Sequence, residues 1–169
     1  QACAENTCAQ KVANGVLDMG TASSTNLSSV LAYSNAIDWP MLWRGRTEIF
    51  NYLFSPESEK SYRGVLRSAY GVEMLSYYGD MRSIYMGLKY NGRDEIRTPD
   101  ALKGAKIRIS VSEMFQNFTQ SLGMNPIPLA WVETLEGMKS GVVDAMETFP
   151  SAAAGYGMTA VSAQAVDIN

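Results

Sequence analysis

The chain contains no histidine. That absence removes Ser-His-Asp and Cys-His nucleophilic sites, together with zinc sites built on imidazole. No G-x-x-x-x-G-K or G-x-G-x-x-G run occurs, so nothing in the sequence is arranged to cradle nucleotide phosphates. Carboxylates do not recur at the spacing of a metal loop. The ten methionines are scattered, which reads as adaptable packing rather than a copper site. No cofactor is expected, and the residues name no metal ligand set. Basic residues number 14 against 17 acidic ones, a net charge of -3 without any basic run, so nucleic acid is not expected as a partner. An anion would have to be held by a few placed groups. No apolar stretch approaches the roughly 20 residues of a bilayer-spanning helix. The opening QACAENTC has no basic region followed by an apolar core. The expectation is a soluble chain with no direct membrane insertion and with any signal peptide removed.

What is present is ordinary for a folded protein: 169 residues, 46% of them hydrophobic and 18% charged. That length carries one substantial core or two small lobes. Cys3 and Cys8 are too few to frame a disulfide-rich scaffold. On one regular helix their Cα atoms would stand more than about 7 Å apart, beyond easy bridging. Either both thiols are free, or a local disulfide forms and the first eight residues are not one continuous helix.

Hydrophobic periodicity and turn residues divide the rest. Residues 9 to 15 read as the end of a helix stopped at Asn14-Gly15, followed by a strand from Val16 to Thr21. The turn Ala22-Ser23-Ser24-Thr25-Asn26 then lies past the carboxyl end of that strand, where ligands bind in open α/β sheets. Residues Ser55 to Tyr70 fit a single helix with Tyr62, Val65, Leu66 and Ala69 on its buried face and Gly71 at its end. Val72 to Tyr78 reads as a buried strand and Ser83 to Leu88 as another, with an Asn91-Gly92 turn marking a hairpin or surface excursion. Beyond it come a strand (Lys106 to Ser110), a helix (Ser112 to Leu122, with Phe115, Phe118 and Leu122 on one face), a strand (Ile127 to Ala130), a helix (Val132 to Ser140) and a strand (Val142 to Met146). This alternation predicts a parallel, doubly wound α/β sheet.

Several polar or aromatic residues fall at the carboxyl ends of these expected strands. Arg108 stands between Ile107 and Ile109. A strand covered on both faces normally excludes charge, so Arg108 is either a structural arginine paired with a local acid or a planar fork for a carboxylate. In the second case the helix starting after Val111-Ser112 adds its positive end. Arg82, after Tyr77-Tyr78-Gly79-Asp80, is either a second cation for the same ligand or a charge paired with Asp80 or solvated. Trp131 opens a helix and forms either a pocket wall or core packing. Glu147 and Thr148 follow the strand Val142 to Met146, with Phe149 and Pro150 expected to cap or begin the next helix. Together these ends trace one crevice of the kind found at topological switch points.

The segment Ile96-Arg97-Thr98-Pro99-Asp100-Ala101-Leu102-Lys103-Gly104-Ala105-Lys106-Ile107-Arg108 resembles the signature of the solute receptors of tripartite ATP-independent periplasmic (TRAP) transporters, the DctP-like family. The likeness continues in Leu122-Gly123-Met124-Asn125-Pro126-Ile127-Pro128 and in Gly141-Val142-Val143-Asp144-Ala145-Met146-Glu147. Leu17-Asp18-Met19-Gly20 and Asp38-Trp39-Pro40-Met41-Leu42-Trp43 also fit.

The resemblance implies a periplasmic-binding-protein-like fold, with two doubly wound α/β lobes around a ligand cleft. It implies a periplasmic receptor that hands a small organic acid to the membrane permease subunits of an ion-gradient-driven transporter. Arg108 then falls on the family's carboxylate-holding arginine, and Arg82 resembles a second arginine of sialic-acid-binding members. Trp131 falls where an aromatic residue lines their pocket, and Thr148 stands where many members have asparagine. Ser23, Ser24 and Asn26 lie where the first lobe touches ligand. None of these three is charged, and Trp39, Trp131, Phe149 and Tyr78 supply flat walls, so aromatic acids are favoured over sugar acids. The stretch from Met86 to Arg93 looks lengthened. The chain is expected to be a fragment, with residues 1 to 79 part of the first lobe and residues 80 to 169 most of the second. It would lack the family's first strand and helix and the long helix spanning both lobes. Two other readings share the residues: the extracellular ligand-sensing domain of a signalling protein, and a histidine-free isomerase or lyase using Glu147 and Arg108.

Overall fold

Cys3 and Cys8 are joined by a disulfide, with their Cα atoms 5.3 Å apart. The bridge is within reach because helix α1 (Cys8–Ala13) begins only at the second cysteine. The computed structural model describes residues 3, 4 and 6–168, so Gln1, Ala2 and Glu5 of the first eight lie outside the described residues. The chain divides into two units, one reaching Gly79 and the other starting at Asp80.

Among its described residues the first unit is helical and holds no strand. Its elements are α1, α2 (Ser24–Leu27), a 3-10 segment (Ala32–Asp38), α3 (Arg46–Leu53), α4 (Pro56–Ser61) and α5 (Arg63–Tyr70). Leu31, Ile49, Leu53, Tyr62 and Leu66 are among its buried apolar side chains. Asn14 caps α1 and Gly15 takes a left-handed φ of 69°, as the Asn-Gly pair predicts. The expected strand from Val16 to Thr21 does not form. The N–H groups of Val16 and Leu17 both donate to the Lys11 carbonyl, folding the segment back onto α1 instead of offering it to a ladder. Val72 to Tyr78 is also not a strand. The chain there forms no regular element and pairs with no strand among the described residues, and Leu75 and Tyr78 are exposed. A β-strand exists only in its ladder, whatever its composition.

The single helix expected from Ser55 to Tyr70 is two helices broken at Tyr62, whose φ and ψ are -114° and -68°. Ser55 caps the first, accepting from the Ser58 N–H at 3.2 Å. The break brings Gly64 so close to the Glu59 carbonyl that a Cβ would lie 1.9 Å from its oxygen. Only glycine fits there. Tyr62 and Leu66 are buried as expected, while Val65 is half-buried and Ala69 exposed. Gly71 ends α5 with a φ of 66°.

The second unit is built on a five-stranded sheet. In chain order its elements are β1 (Ser83–Gly87), β2 (Lys106–Ile109), α6 (Glu113–Ser121), β3 (Asn125–Pro128), α7 (Trp131–Ser140), β4 (Ala145–Thr148), α8 (Pro150–Gly155) and β5 (Ser162–Asp167). The strand order is β3-β2-β4-β1-β5. Strands β3, β2 and β4 are mutually parallel, as the alternation predicts. However, β1 runs antiparallel to both neighbours, β4 and β5, so the sheet is mixed rather than all-parallel. The Asn91-Gly92 turn belongs to an exposed excursion after β1, not to a hairpin.

Alternation along the strands sorts their side chains between two cores. Ile84, Met86, Ile107, Ile109 and Ala145 pack with Phe115 and Phe118 of α6 on one face. Tyr85, Met146 and Ile127 pack with Leu135 and Met138 of α7 and Ala153 of α8 on the other. The last two expected strands are displaced, β3 earlier by two residues and β4 later. Gly141 closes α7 in the left-handed region, and the Val143 N–H still bonds back to the Gly137 carbonyl, so the ladder begins only when the Asp144 N–H reaches the Lys106 carbonyl.

Asp144 locks this amino end of the sheet. Its carboxylate accepts from the Lys106 backbone N–H at 2.9 Å and pairs with the Lys89 ammonium at 2.7 Å. Its carbonyl accepts from the Gly87 N–H at 2.8 Å. Burial alone would raise its pKa, but the Lys89 charge and the Lys106 N–H together outweigh burial and hold it below the ordinary carboxylate value.

Candidate functional site

The carboxyl edge of the parallel strands is where the second unit's topology opens. After β2 the chain leaves to the face covered by α6. After β3 and β4, its neighbours on either side, it leaves to the face covered by α7 and α8. The carboxyl end of β2 therefore sits where adjacent connections diverge, the geometry that leaves a crevice beyond the strand ends.

Arg108 is the third residue of β2 and is 3% exposed. Its strand neighbours Ile107 and Ile109 turn toward α6, so alternation turns Arg108 toward α7. There its Nε donates to the Leu129 carbonyl at 2.9 Å. The guanidinium carbon lies 5.3 Å from the centroid of the Trp131 ring. Trp131 is the first residue of α7 and is itself braced edge-on by Tyr156, with centroids 5.4 Å apart at 90°. The Leu129 carbonyl and the Trp131 ring face thus help to orient the guanidinium. Trp131 is partly buried and packs against the core that α7 covers.

Arg82 and Glu147 come together as a buried ion pair, the guanidinium Nη1 donating to Glu147 Oε1. Arg82 does not follow a strand, as expected from the sequence, but immediately precedes β1. Because β1 is antiparallel, its amino end lies beside the carboxyl end of β4, with Ser83 opposite Thr148 and Ile84 opposite Glu147. Arg82 thereby reaches the expected edge by the opposite route. Its guanidinium carbon lies 4.1 Å from the Phe149 ring centroid and 4.8 Å from that of Phe115.

Glu147 and Thr148 are the last two residues of β4 rather than residues following it, because the ladder with β1 runs out to Thr148. Both are buried. Glu147 Oε2 has no hydrogen-bond partner among the described residues. Phe149 caps α8 and Pro150 is its first residue, as expected.

The structure does not place Ser23, Ser24 and Asn26 after a strand. Ser23 caps α2, accepting from the Asn26 N–H at 3.3 Å. Ser24 Oγ donates to the Asp38 carboxylate, and the Ser24 carbonyl accepts from Ser34 Oγ at 2.7 Å. These hydroxyls hold the turn, and Asn26 is buried. A depression of about 210 Å³ in this unit, lined by Arg46, Thr47, Phe50 and Tyr77, contains none of the candidate residues.

One buried polar group at the β2 edge was not singled out from the sequence. Ser110 is 8% exposed, and its Oγ has no hydrogen-bond partner among the described residues. Leaving such a hydroxyl buried and unsatisfied costs about 1–3 kcal/mol. A serine two residues beyond a strand arginine carries no sequence signal that separates it from a capping or turn serine.

The family model for bacterial extracellular solute-binding proteins, family 7 (DctP), matches residues 1–167. The chain is 29% identical over 140 residues to the 2,3-diketo-L-gulonate-binding periplasmic protein YiaO of Escherichia coli, covering 80% of this chain and 40% of that protein. Two TRAP periplasmic solute-binding proteins of known structure share its fold. The one from Ralstonia eutropha, with bound (S)-2-acetolactate, superposes with a TM-score of 0.81 at 26% identity, covering 96% of this chain and 55% of that one. The one from Bradyrhizobium sp., in complex with D-galacturonate, superposes with a TM-score of 0.72 at 29% identity, covering 86% and 46%. The chain thus spans about half or less of the length of each relative.

Proposed function

Because this chain belongs to family 7 of the bacterial extracellular solute-binding proteins, the DctP family, we propose that it is part of a periplasmic receptor that captures a small organic acid for a TRAP-type transporter. In this reading residues up to Gly79 belong to one lobe and those from Asp80 make up most of the other. The receptor delivers its ligand to membrane permease subunits, and its work is binding rather than catalysis. The carboxylate site is built from the second unit.

The observation that carries the reading is Arg108. A buried guanidinium at the carboxyl end of a central parallel strand, oriented by the Leu129 carbonyl and the Trp131 ring, presents a fixed planar donor to an anion. Trp131 and Thr148 complete the crevice, and the Arg82–Glu147 pair walls it at β1. Glu147 is held in that ion pair, which suits a wall better than a base poised for proton abstraction.

Trp131 and Phe149 carry arginine guanidiniums over their rings, and Trp39 and Tyr78 are exposed in the first unit. The flat faces on which a preference for aromatic acids rests are therefore engaged or turned outward. We read the ligand as a hydroxy or keto acid of the kinds named for the relatives ahead of an aromatic acid. Isothermal titration of the full-length protein with D-galacturonate, 2,3-diketo-L-gulonate, (S)-2-acetolactate and benzoate tests this. One of the first three should bind with unit stoichiometry while D-galactose, which lacks the carboxylate, does not. Failure of every acid to bind would sink the reading.

A further inference from the structure

Ser110 Oγ is a buried polar atom with no hydrogen-bond partner among the described residues, placed just past the carboxyl end of β2. Ser110 lies two residues beyond Arg108, immediately past the last residue of β2. The segment beside it is pinned: the Leu129 N–H donates to the Ile109 carbonyl at 3.4 Å, and the Leu129 carbonyl accepts from Arg108 Nε. Two residues further on, Ser112 caps the nine-residue helix α6, so Ser110 also stands at the positive end of a helix dipole. Arginine, helix start and an unsatisfied, buried hydroxyl thus converge at the switch point of the sheet.

From this convergence we propose that Ser110 is a specificity-determining residue whose hydroxyl donates to the bound acid, taking a carboxylate oxygen beside the one gripped by Arg108. The inference rests on the carboxylate-receptor reading and deepens it. A buried hydroxyl with no hydrogen-bond partner among the described residues is a poor structural choice and a good functional one. Its hydrogen-bonding capacity is kept in reserve and realised only on binding, when it meets an ionised acceptor.

The test is Ser110→Ala in the full-length protein, titrated with D-galacturonate, 2,3-diketo-L-gulonate and (S)-2-acetolactate, with the melting temperature measured in the absence of ligand. The expected result is an affinity at least about tenfold weaker for whichever acid the wild type binds, or about 1.4 kcal/mol. The ligand-free protein should melt at the same temperature or higher, because an unsatisfied buried group has been removed. Affinity within about threefold of wild type overturns the inference, and so does a weaker affinity accompanied by a melting temperature several degrees lower, since the hydroxyl would then be structural. If Arg108→Ala abolishes binding while Ser110→Ala leaves it intact, this inference alone fails. If the wild type binds none of the three acids, the parent reading fails and takes this one with it.

Discussion

The guanidinium of Arg82 and the carboxylate of Glu147 meet in a buried ion pair that joins the residue before β1 to the third residue of β4. Removing one partner of such a pair strands the other charge in a poorly solvated place, at a cost of about 3–5 kcal/mol. Glu147→Ala should therefore destabilise the protein by about that amount in urea denaturation. The double variant Arg82→Met, Glu147→Leu should recover most of it, because Phe115 and Phe149 can pack a methionine as they now pack the guanidinium. A single variant costing less than about 1 kcal/mol would show that the pair is effectively solvated.

Asp144 makes a prediction about pH. Its folded-state pKa lies below the ordinary value of 3.8, so its contribution to stability is fully present above that value. The contribution is lost as pH falls through the folded pKa. The wild type should lose stability more steeply than Asp144→Asn below about pH 4, while Asp144→Asn should be the less stable of the two at pH 7. Parallel urea titrations at stepped pH measure both slopes. Equal acid slopes would mean that the Lys89 and Lys106 contacts do not favour the ionised form.

Gly64→Ala tests the break between α4 and α5. In an unbroken helix alanine would be the better residue by about 1 kcal/mol. Here its Cβ would lie 1.9 Å from the Glu59 carbonyl oxygen, a backbone atom that cannot swing aside. The substitution should destabilise by at least about 1–3 kcal/mol, the usual range for forced overpacking. If the thermal midpoint rises instead, the two helices are joined in solution as the sequence pattern suggests.

How far the sequence was readable depends on whether an element carries its own partners. Helices α6 and α7 and strands β1 and β2 were legible because the Gly123 stop, the Phe115–Phe118–Leu122 face and the apolar runs of the strands are local signals. Val16 to Thr21 and Val72 to Tyr78 have strand composition, but strand formation is settled by a ladder that no described residue supplies. The start of β4 was misplaced because Val142 and Val143 look like strand while their backbone still answers to α7. At the site, Arg108 stood out as a charge in an apolar run. Pairing Arg82 with Glu147 required knowing that β1 is antiparallel, a property of the whole sheet. Ser110 acquired its significance from a missing hydrogen bond, which no sequence records.

Arg108 gives the most direct test of the site. Its Nε is already committed to the Leu129 carbonyl and its face to Trp131, so the group is oriented before any ligand arrives and little ordering remains to be done on binding. An acid carboxylate seated in the crevice would exchange water for this guanidinium. Deleting the guanidinium would leave the carboxylate buried without its counter-charge. At about 3–5 kcal/mol for that loss, Arg108→Ala should weaken binding by roughly two to four decades. Arg108→Lys keeps the charge, but it loses the planar fork, the bond to Leu129 and the flat stacking on Trp131, so it should recover only part of the affinity. Calorimetric titration of both variants, paired with their melting temperatures, separates the possibilities. If both variants bind within about threefold of wild type while their stability falls, Arg108 serves to hold β2 against α7, and the carboxylate must be bound elsewhere.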